Sequence, residues 1–264
     1  MKEQVRELLT DFGQIDILWF DFSYPTAEYK GLPGKSHKDW HSEDLLKMIR
    51  ELQPKAMVNN RLDLAGVPAD MVTPEQYQPT EWIKQDGEPV VWEACQTLSG
   101  SWGYHRDETS WKNPEQLIQM LTNTVACGGN LLMNVGPTAR GNLDDRALDA
   151  LGEYAEWMRV HNRAIYGCTQ SEYSPPNGCV YTQNGNKLYV HVYTWPFELL
   201  HLPGLEGKVE YAQLLNDGSE IGMKVNVWIA GQQAEHGAAA TVLTLTLPIV
   251  KPDVVVPVIE LILK

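Results

Sequence analysis

No Asn-x-Ser/Thr sequon and no C-x-x-C pair occurs in these 264 residues. The four cysteines, Cys95, Cys127, Cys168 and Cys179, are scattered. That spacing favours buried thiols over a disulfide framework, with a Cys168–Cys179 bridge across a hairpin as the alternative. No apolar run approaches the ~20 residues needed to span a bilayer, so no membrane segment is expected. Basic residues are scarce: 21 Lys and Arg stand against 34 Asp and Glu, a net charge of −13. A nucleic-acid partner would need clustered cations, so none is expected, whereas a neutral substrate such as a sugar is compatible. Met1 to Leu9 reads as an amphipathic helix and not as a signal peptide. Together these absences predict a soluble protein of a reducing compartment, the cytoplasm.

What is present suits a folded chain. Apolar residues make up 43% and charged residues 21%, which excludes disorder, and the length allows one large domain or two modest ones. Residues 1–12 read as a helix ended by Phe12-Gly13. An apolar run, Gln14 to Phe20, then has the composition of a strand buried on both faces of a parallel sheet. A long polar loop leads to a helix near 42–52, with Ser42 as its N-cap. Pro54 stops that helix, and strands are expected at 56–60, 70–73, 89–95 and 130–135. A helix at 114–127 has Asn113-Pro114 as its cap and first residue. A longer one, 144–162, places Leu148, Leu151, Tyr154, Ala155 and Met158 on one stripe.

Alternating strands and helices imply a parallel sheet, and polar residues at strand ends suggest a barrel. After Gly167 the pattern changes. Val180–Gln183 and Lys187–Tyr193 flank Asn184-Gly185, a hairpin signal, and further β runs lie at 225–229, 241–247 and 254–263. The fold class expected is α/β: a partial (β/α) TIM-like barrel over residues 1–169, followed by an antiparallel β-sandwich over 170–264. The barrel part supplies about five strands where a full barrel has eight, so roughly three N-terminal βα units are expected to be missing.

Asp21 carries the most chemistry. A carboxylate at the C-terminal end of a buried parallel strand is where (β/α) barrels keep catalytic groups, although capping and ion-pair carboxylates are common too. Ile17-Leu18-Trp19-Phe20-Asp21, Asn59-Asn60-Arg61, Thr73-Pro74-Glu75, Trp92-Glu93-Ala94-Cys95, Ser101-Trp102-Gly103-Tyr104 and Gly128 to Pro137 follow in that order. This series resembles the α-L-fucosidases of glycoside hydrolase family 29, over residues 1–172, and the sandwich fits the family's C-terminal domain.

The resemblance implies a retaining exo-glycosidase acting on an α-L-fucoside, without metal or cofactor. It makes Asp21 the nucleophile and Glu75, in Thr73-Pro74-Glu75-Gln76-Tyr77, the acid/base. Glu93 is the rival on local chemistry, because a retaining pair needs two carboxyl groups about 5–5.5 Å apart. By similarity Arg61 bonds the sugar hydroxyls or holds the nucleophile, and Trp19 and Trp102 surround the fucose. Each has an ordinary structural alternative, as an ion pair or as core.

His37 and His41 have helical metal-ligand spacing but no third ligand, and a solvated loop is expected. Gly128-Gly129-Asn130 lacks the Lys-Ser/Thr of a phosphate loop and precedes a strand. Lys2 to Glu7 and Asp144 to Arg146 read as solvated helix faces. One departure stands out: family members carry sugar-binding histidines on early barrel strands, and nothing upstream of Asp21 can hold them. The other readings are a truncated carbohydrate-binding fragment that must be complemented, or a barrel glycosidase for another sugar. An open sheet exposes edges and apolar surface, so a homo-oligomer is expected.

Overall fold

Val5 and Leu9, one helical turn apart, are the buried side chains of the first helix, α1 (Lys2–Asp11), which Gly13 ends with a φ of 80°. The structure, a computed structural model, describes residues 1–228 and 240–264. It is a mixed α/β chain that divides into two compact units. One is Met1–Glu75 with Ile83–Glu93, the other Gln76–Trp82 with Ala94–Lys264.

In the first unit β1 (Ile17–Leu18) is followed by a small hairpin, β2 (Glu28–Tyr29) and β3 (Leu32–Pro33). The short helix α2 (His37–Trp40) then leads into α3 (Ser42–Leu52). On α3, Leu45, Met48 and Ile49 fall at helical spacing and pack against Val5 and Leu9 of α1. The same core takes Leu18, Phe20, Ala56, Val58 and Leu62. Strand β4 (Met57–Val58) pairs in parallel with β1, and single parallel bridges continue the series, Asn59 with Met71 and Val72 with Trp92. A second hairpin joins β5 (Lys84–Gln85) and β6 (Glu88–Pro89), with Asp86 and Gly87 at its tip, both at positive φ.

Next come β7 (Glu93–Thr97) and its partner β8 (Asn130–Asn134). Between them runs α4 (Pro114–Ala126), started by an Asn113–Gln116 capping box. Gly128 ends that turn at a φ of 75°, and a Cβ there would meet the Trp82 ring at 2.3 Å, so glycine is required. After α5 (Asp145–His161) the chain turns antiparallel. It forms β9 (Thr169–Gln170), β10 (Cys179–Asn184), β11 (Lys187–Val192), β12 (Leu199–Leu202), β13 (Val209–Leu214), β14 (Gly222–Trp228), β15 (Ala240–Thr246) and β16 (Val258–Leu263).

The five-stranded sheet runs β13-β16-β11-β10-β9 and the three-stranded one β12-β15-β14. Leu188, Val190 and Val192 on one face of β11 share a core with Leu200, Leu202, Leu243 and Leu245 of the smaller sheet. Tyr189 on the opposite face packs with Trp157 of α5, so β11 is buried on both sides.

Several expectations need correction. The strand expected over 14–20 reduces to Ile17–Leu18, and Ile17 is 47% exposed instead of buried. Among the described residues β1 pairs with β4 alone, and the Asn59 side chain takes over Phe20, receiving from its N–H at 3.0 Å and donating to its C=O at 2.9 Å. The segment 70–73 makes bridges but no strand, and the run expected at 89–95 is split between β6 and β7.

The cap of α3 is His41, in the left-handed conformation, and Ser42 is its buried first residue. His37 lies on α2, not in a loop, and no group of three metal-ligating side chains occurs among the described residues. On α5 the buried stripe is rotated: Ala147, Trp157 and His161 are buried, while Leu148 and Ala155 are exposed. Arg146 is no free surface group, since its guanidinium binds Asp144 at 2.7 Å and the Glu108 carbonyl at 2.7 Å. The hairpin turn is Gly185-Asn186, one residue later than expected. Of the run 225–229, Ile229 lies outside the described residues. None of the four cysteines forms a disulfide, so the Cys168–Cys179 alternative falls; Cys95 and Cys179 are buried and the other two partly so. No helix among the described residues is long and apolar enough to cross a membrane.

Candidate active site

Directly beyond β1 the backbone leaves the ladder at Phe20 and delivers Asp21 to the surface, its side chain 48% exposed. Beyond β4 the chain enters a single 3-10 turn, Asn60–Leu62, and Arg61 projects from it. This guanidinium is the hub of the first unit. Its Nη1 lies 3.0 Å from Asp21 Oδ1 and 2.7 Å from Glu75 Oε2. One nitrogen therefore holds the two carboxylate oxygens within about 6 Å of each other, a span that includes the ~5–5.5 Å of a retaining pair.

Arg61 is itself fixed. Its Nε donates to Thr73 Oγ1 at 2.9 Å and its Nη2 to the Thr73 carbonyl at 3.3 Å. Asn60 in turn accepts from the Thr73 N–H and hydroxyl at 3.1 and 3.0 Å. The guanidinium also lies over the Trp19 ring, 4.4 Å from the centroid. Burial pulls the Arg61 pKa down, but hydrogen bonds to Glu75 and Asp21 outweigh it, and the guanidinium is held charged.

Glu93 is engaged elsewhere: its Oε1 accepts from the Trp19 indole N–H at 3.1 Å. Tyr24, three residues after Asp21, donates its hydroxyl to Asp21 Oδ1, the same oxygen that Arg61 contacts. That bond, with burial and the Asp21 charge behind it, raises the Tyr24 pKa.

Trp102 belongs to the second unit, on the loop before α4, and is 40% exposed. Its carbonyl accepts from Asn134 Nδ2 at 2.6 Å, and Glu108 gathers Ser101 and Ser110 behind it. Those serine bonds push the Glu108 pKa down to about 2. A Cβ at Gly136 would come within 2.5 Å of the Gly103 carbonyl carbon, so this loop and the end of β8 touch only because position 136 is glycine.

Asp21, Arg61, Glu75 and Trp19 thus form one constellation, and Glu93 joins it through Trp19. The sequence reading overlooked Tyr24 and Asn59. Asn59 sat in a motif already singled out, but Tyr24 lay in a polar loop without any periodic signal.

The family model for α-L-fucosidase matches residues 1–163. This chain belongs to the α-L-fucosidase family. Among solved structures it is similar to α-L-fucosidase isoenzyme 1 from Paenibacillus thiaminolyticus, 40% identical with a TM-score of 0.83, over all of this chain and 61% of that one. The fucosidase from Vibrio sp. strain EJY3 is 27% identical with a TM-score of 0.77, over 99% of this chain and 44% of that one. An α-L-fucosidase of Dictyostelium discoideum is 33% identical over 171 residues, 61% of this chain and 35% of that protein. The chain spans about a third to three fifths of the length of these fucosidases.

Proposed function

We propose that this chain is the catalytic part of a retaining exo-glycosidase that releases L-fucose from α-L-fucosides. The observation that supports the reading is the shared Arg61 Nη1, which keeps an Asp21 oxygen and a Glu75 oxygen within about 6 Å of each other, a range compatible with a double displacement. In the first step an Asp21 oxygen attacks the anomeric carbon, the glycosidic C–O bond breaks, and the Glu75 carboxyl gives its proton to the leaving oxygen. In the second, the Glu75 carboxylate takes a proton from water, the water oxygen bonds to the anomeric carbon, and Asp21 is released. Arg61 orients both carboxyl groups, and Trp19 offers an aromatic face to the sugar. Trp102, in the second unit, is assigned a fucose-binding role on the family resemblance alone.

The parallel β1–β4 pair with the parallel bridges that follow it, and the β7–β8 pair, are read as the C-terminal part of a (β/α) barrel over residues 1–169, with the sandwich over 170–264. The half-exposed Ile17 on β1 and the exposed Phe12 before it support a second copy of the chain covering that edge. The reduced cysteines support a cytoplasmic location. The half-exposed β1 also favours one other reading, a carbohydrate-binding fragment with little turnover of its own.

Purified chain with an aryl α-L-fucoside, followed by NMR of the first-formed sugar and by sedimentation, separates these readings. The proposal expects α-L-fucose as the first product from an oligomer. First release of β-L-fucose contradicts the retaining mechanism, and binding without turnover favours the fragment.

A further inference from the structure

Asp21 Oδ1 accepts two hydrogen bonds, from Arg61 and from the Tyr24 hydroxyl, while Oδ2 accepts none among the described residues. Tyr24 does not reach this oxygen by chance placement on a loose loop. Its N–H donates to the Lys35 carbonyl at 3.0 Å, and its carbonyl accepts from the Ala27 N–H at 3.1 Å. Gly34 packs so close that a Cβ there would lie 1.8 Å from the Tyr24 carbonyl oxygen. The preceding residue, Ser23, donates to Asp63 Oδ2 at 3.1 Å, and the same Asp63 oxygen accepts from the His37 N–H at 3.1 Å. The turn after Asp21 is therefore tied at both ends to the framework that positions Arg61.

We propose that Tyr24 is a positioning residue for Asp21, holding Oδ1 together with Arg61 so that Oδ2 is the attacking oxygen. This rests on the reading of Asp21 as nucleophile and extends it to the second chemical step. A carboxylate oxygen that already accepts two donors is the weaker nucleophile, so the bond to the sugar forms through Oδ2. In the resulting ester Oδ1 is a carbonyl oxygen and a poorer acceptor. When the ester breaks, its electron pair returns to the carboxylate and both hydrogen bonds strengthen again. Tyr24 and Arg61 thus favour the departure of Asp21, the step in which water releases fucose.

Removing the hydroxyl has consequences that a merely structural tyrosine would not produce. Tyr24→Phe should slow deglycosylation more than glycosylation. On an activated aryl fucoside kcat should fall ~10-fold, the loss expected for one hydrogen bond to a charged group, with KM falling alongside it. Intact-mass spectrometry should find the fucosyl-enzyme accumulating on Asp21. Unchanged kcat with no accumulating adduct would overturn the proposal.

A readout independent of turnover is the tyrosine ring-carbon NMR titration. Asp21→Asn should bring one tyrosine, absent from the Tyr24→Phe spectrum, down toward the ordinary phenol range. Failure to shift it means that the hydroxyl does not bond Asp21, and the proposal falls. Activity retained by Asp21→Gly is a different result, and it overturns the nucleophile assignment itself.

Discussion

The Trp19 indole N–H and the Glu93 carboxylate, 74 positions apart in the chain, are joined by a 3.1 Å hydrogen bond. The bond links the residue just beyond β1 to the first residue of β7, and it occupies the carboxylate that competes with Glu75 for the acid/base role. Trp19 also lies under Arg61, so the Trp19 ring touches both Glu93 and the Arg61 guanidinium.

A leaving-group comparison tests that division. Good leaving groups need no proton, so loss of the general acid hurts poor ones most. Glu75→Ala should keep far more activity on activated aryl fucosides than on natural disaccharides, by ~10²-fold or more. Glu93→Ala should lower both alike by loosening Trp19. The reverse pattern, with Glu93→Ala sparing only activated substrates, would assign the acid to Glu93.

Arg61 bridges Asp21 and Glu75, and its side chain is only 15% exposed. Arg61→Met should lower kcat/KM by ~10²-fold or more, because both carboxylates lose their shared donor and their spacing. Arg61→Lys should recover little, since an ammonium cannot reproduce the planar fork that also holds Thr73. Kinetics of the two variants, with circular dichroism to verify folding, checks this, and full activity in Arg61→Met would contradict it.

Much of the fold was legible in the sequence, for identifiable reasons. The Asn113-Pro114 start of α4 and the Gly128 end are local chemistry, and the hairpin signal at Asn184-Gly185 missed its turn by one residue. The strand after α1 was overestimated because its residues from Ile17 to Phe20 are all apolar, while the Asn59 side chain takes the backbone groups of Phe20 out of the ladder. No pattern in Gln14–Phe20 announces a clamp 39 residues downstream. The α5 stripe was misplaced because Trp157 and His161 outcompete Leu148 for the interior, their rings stacked 4.7 Å apart. In the site, Asp21, Arg61, Glu75 and Trp19 were singled out through ordered motifs. Tyr24 and the Trp19–Glu93 bond depend on where loops fold back, which spacing does not encode.

The Asn59 clamp makes a stability prediction. Asn59 is 2% exposed and satisfies both backbone groups of Phe20. Asn59→Ala leaves them buried without partners, which costs about 1–3 kcal/mol each. Denaturant unfolding should show a loss of about 2–5 kcal/mol with little change in m value. A loss under ~0.5 kcal/mol would mean that water replaces the amide.

The second unit should lose stability in acid. Burial lowers the pKa of His161 to about 4, with the Arg163 charge adding to it, and that of His191 to about 3, with His161 adding. Both folded values lie below the unfolded ~6.5, so the unfolded chain binds more protons as the pH falls below that value. Stability is therefore full above pH ~6.5 and declines down to about pH 3, by several kcal/mol in total. Urea midpoints between pH 7 and pH 4 should fall, and less steeply in His161→Gln. A midpoint independent of pH over that range would contradict the assignment.

Chemical rescue of Asp21→Gly tests the central claim most directly. The variant should lose at least ~10³-fold in turnover of an aryl α-L-fucoside, and added azide should restore it. Azide occupies the space of the missing carboxylate and attacks the anomeric carbon from the same face, so the product should be β-L-fucosyl azide, identified by NMR. Near-normal hydrolysis by Asp21→Gly without azide, or a rescued product of α configuration, would contradict the account.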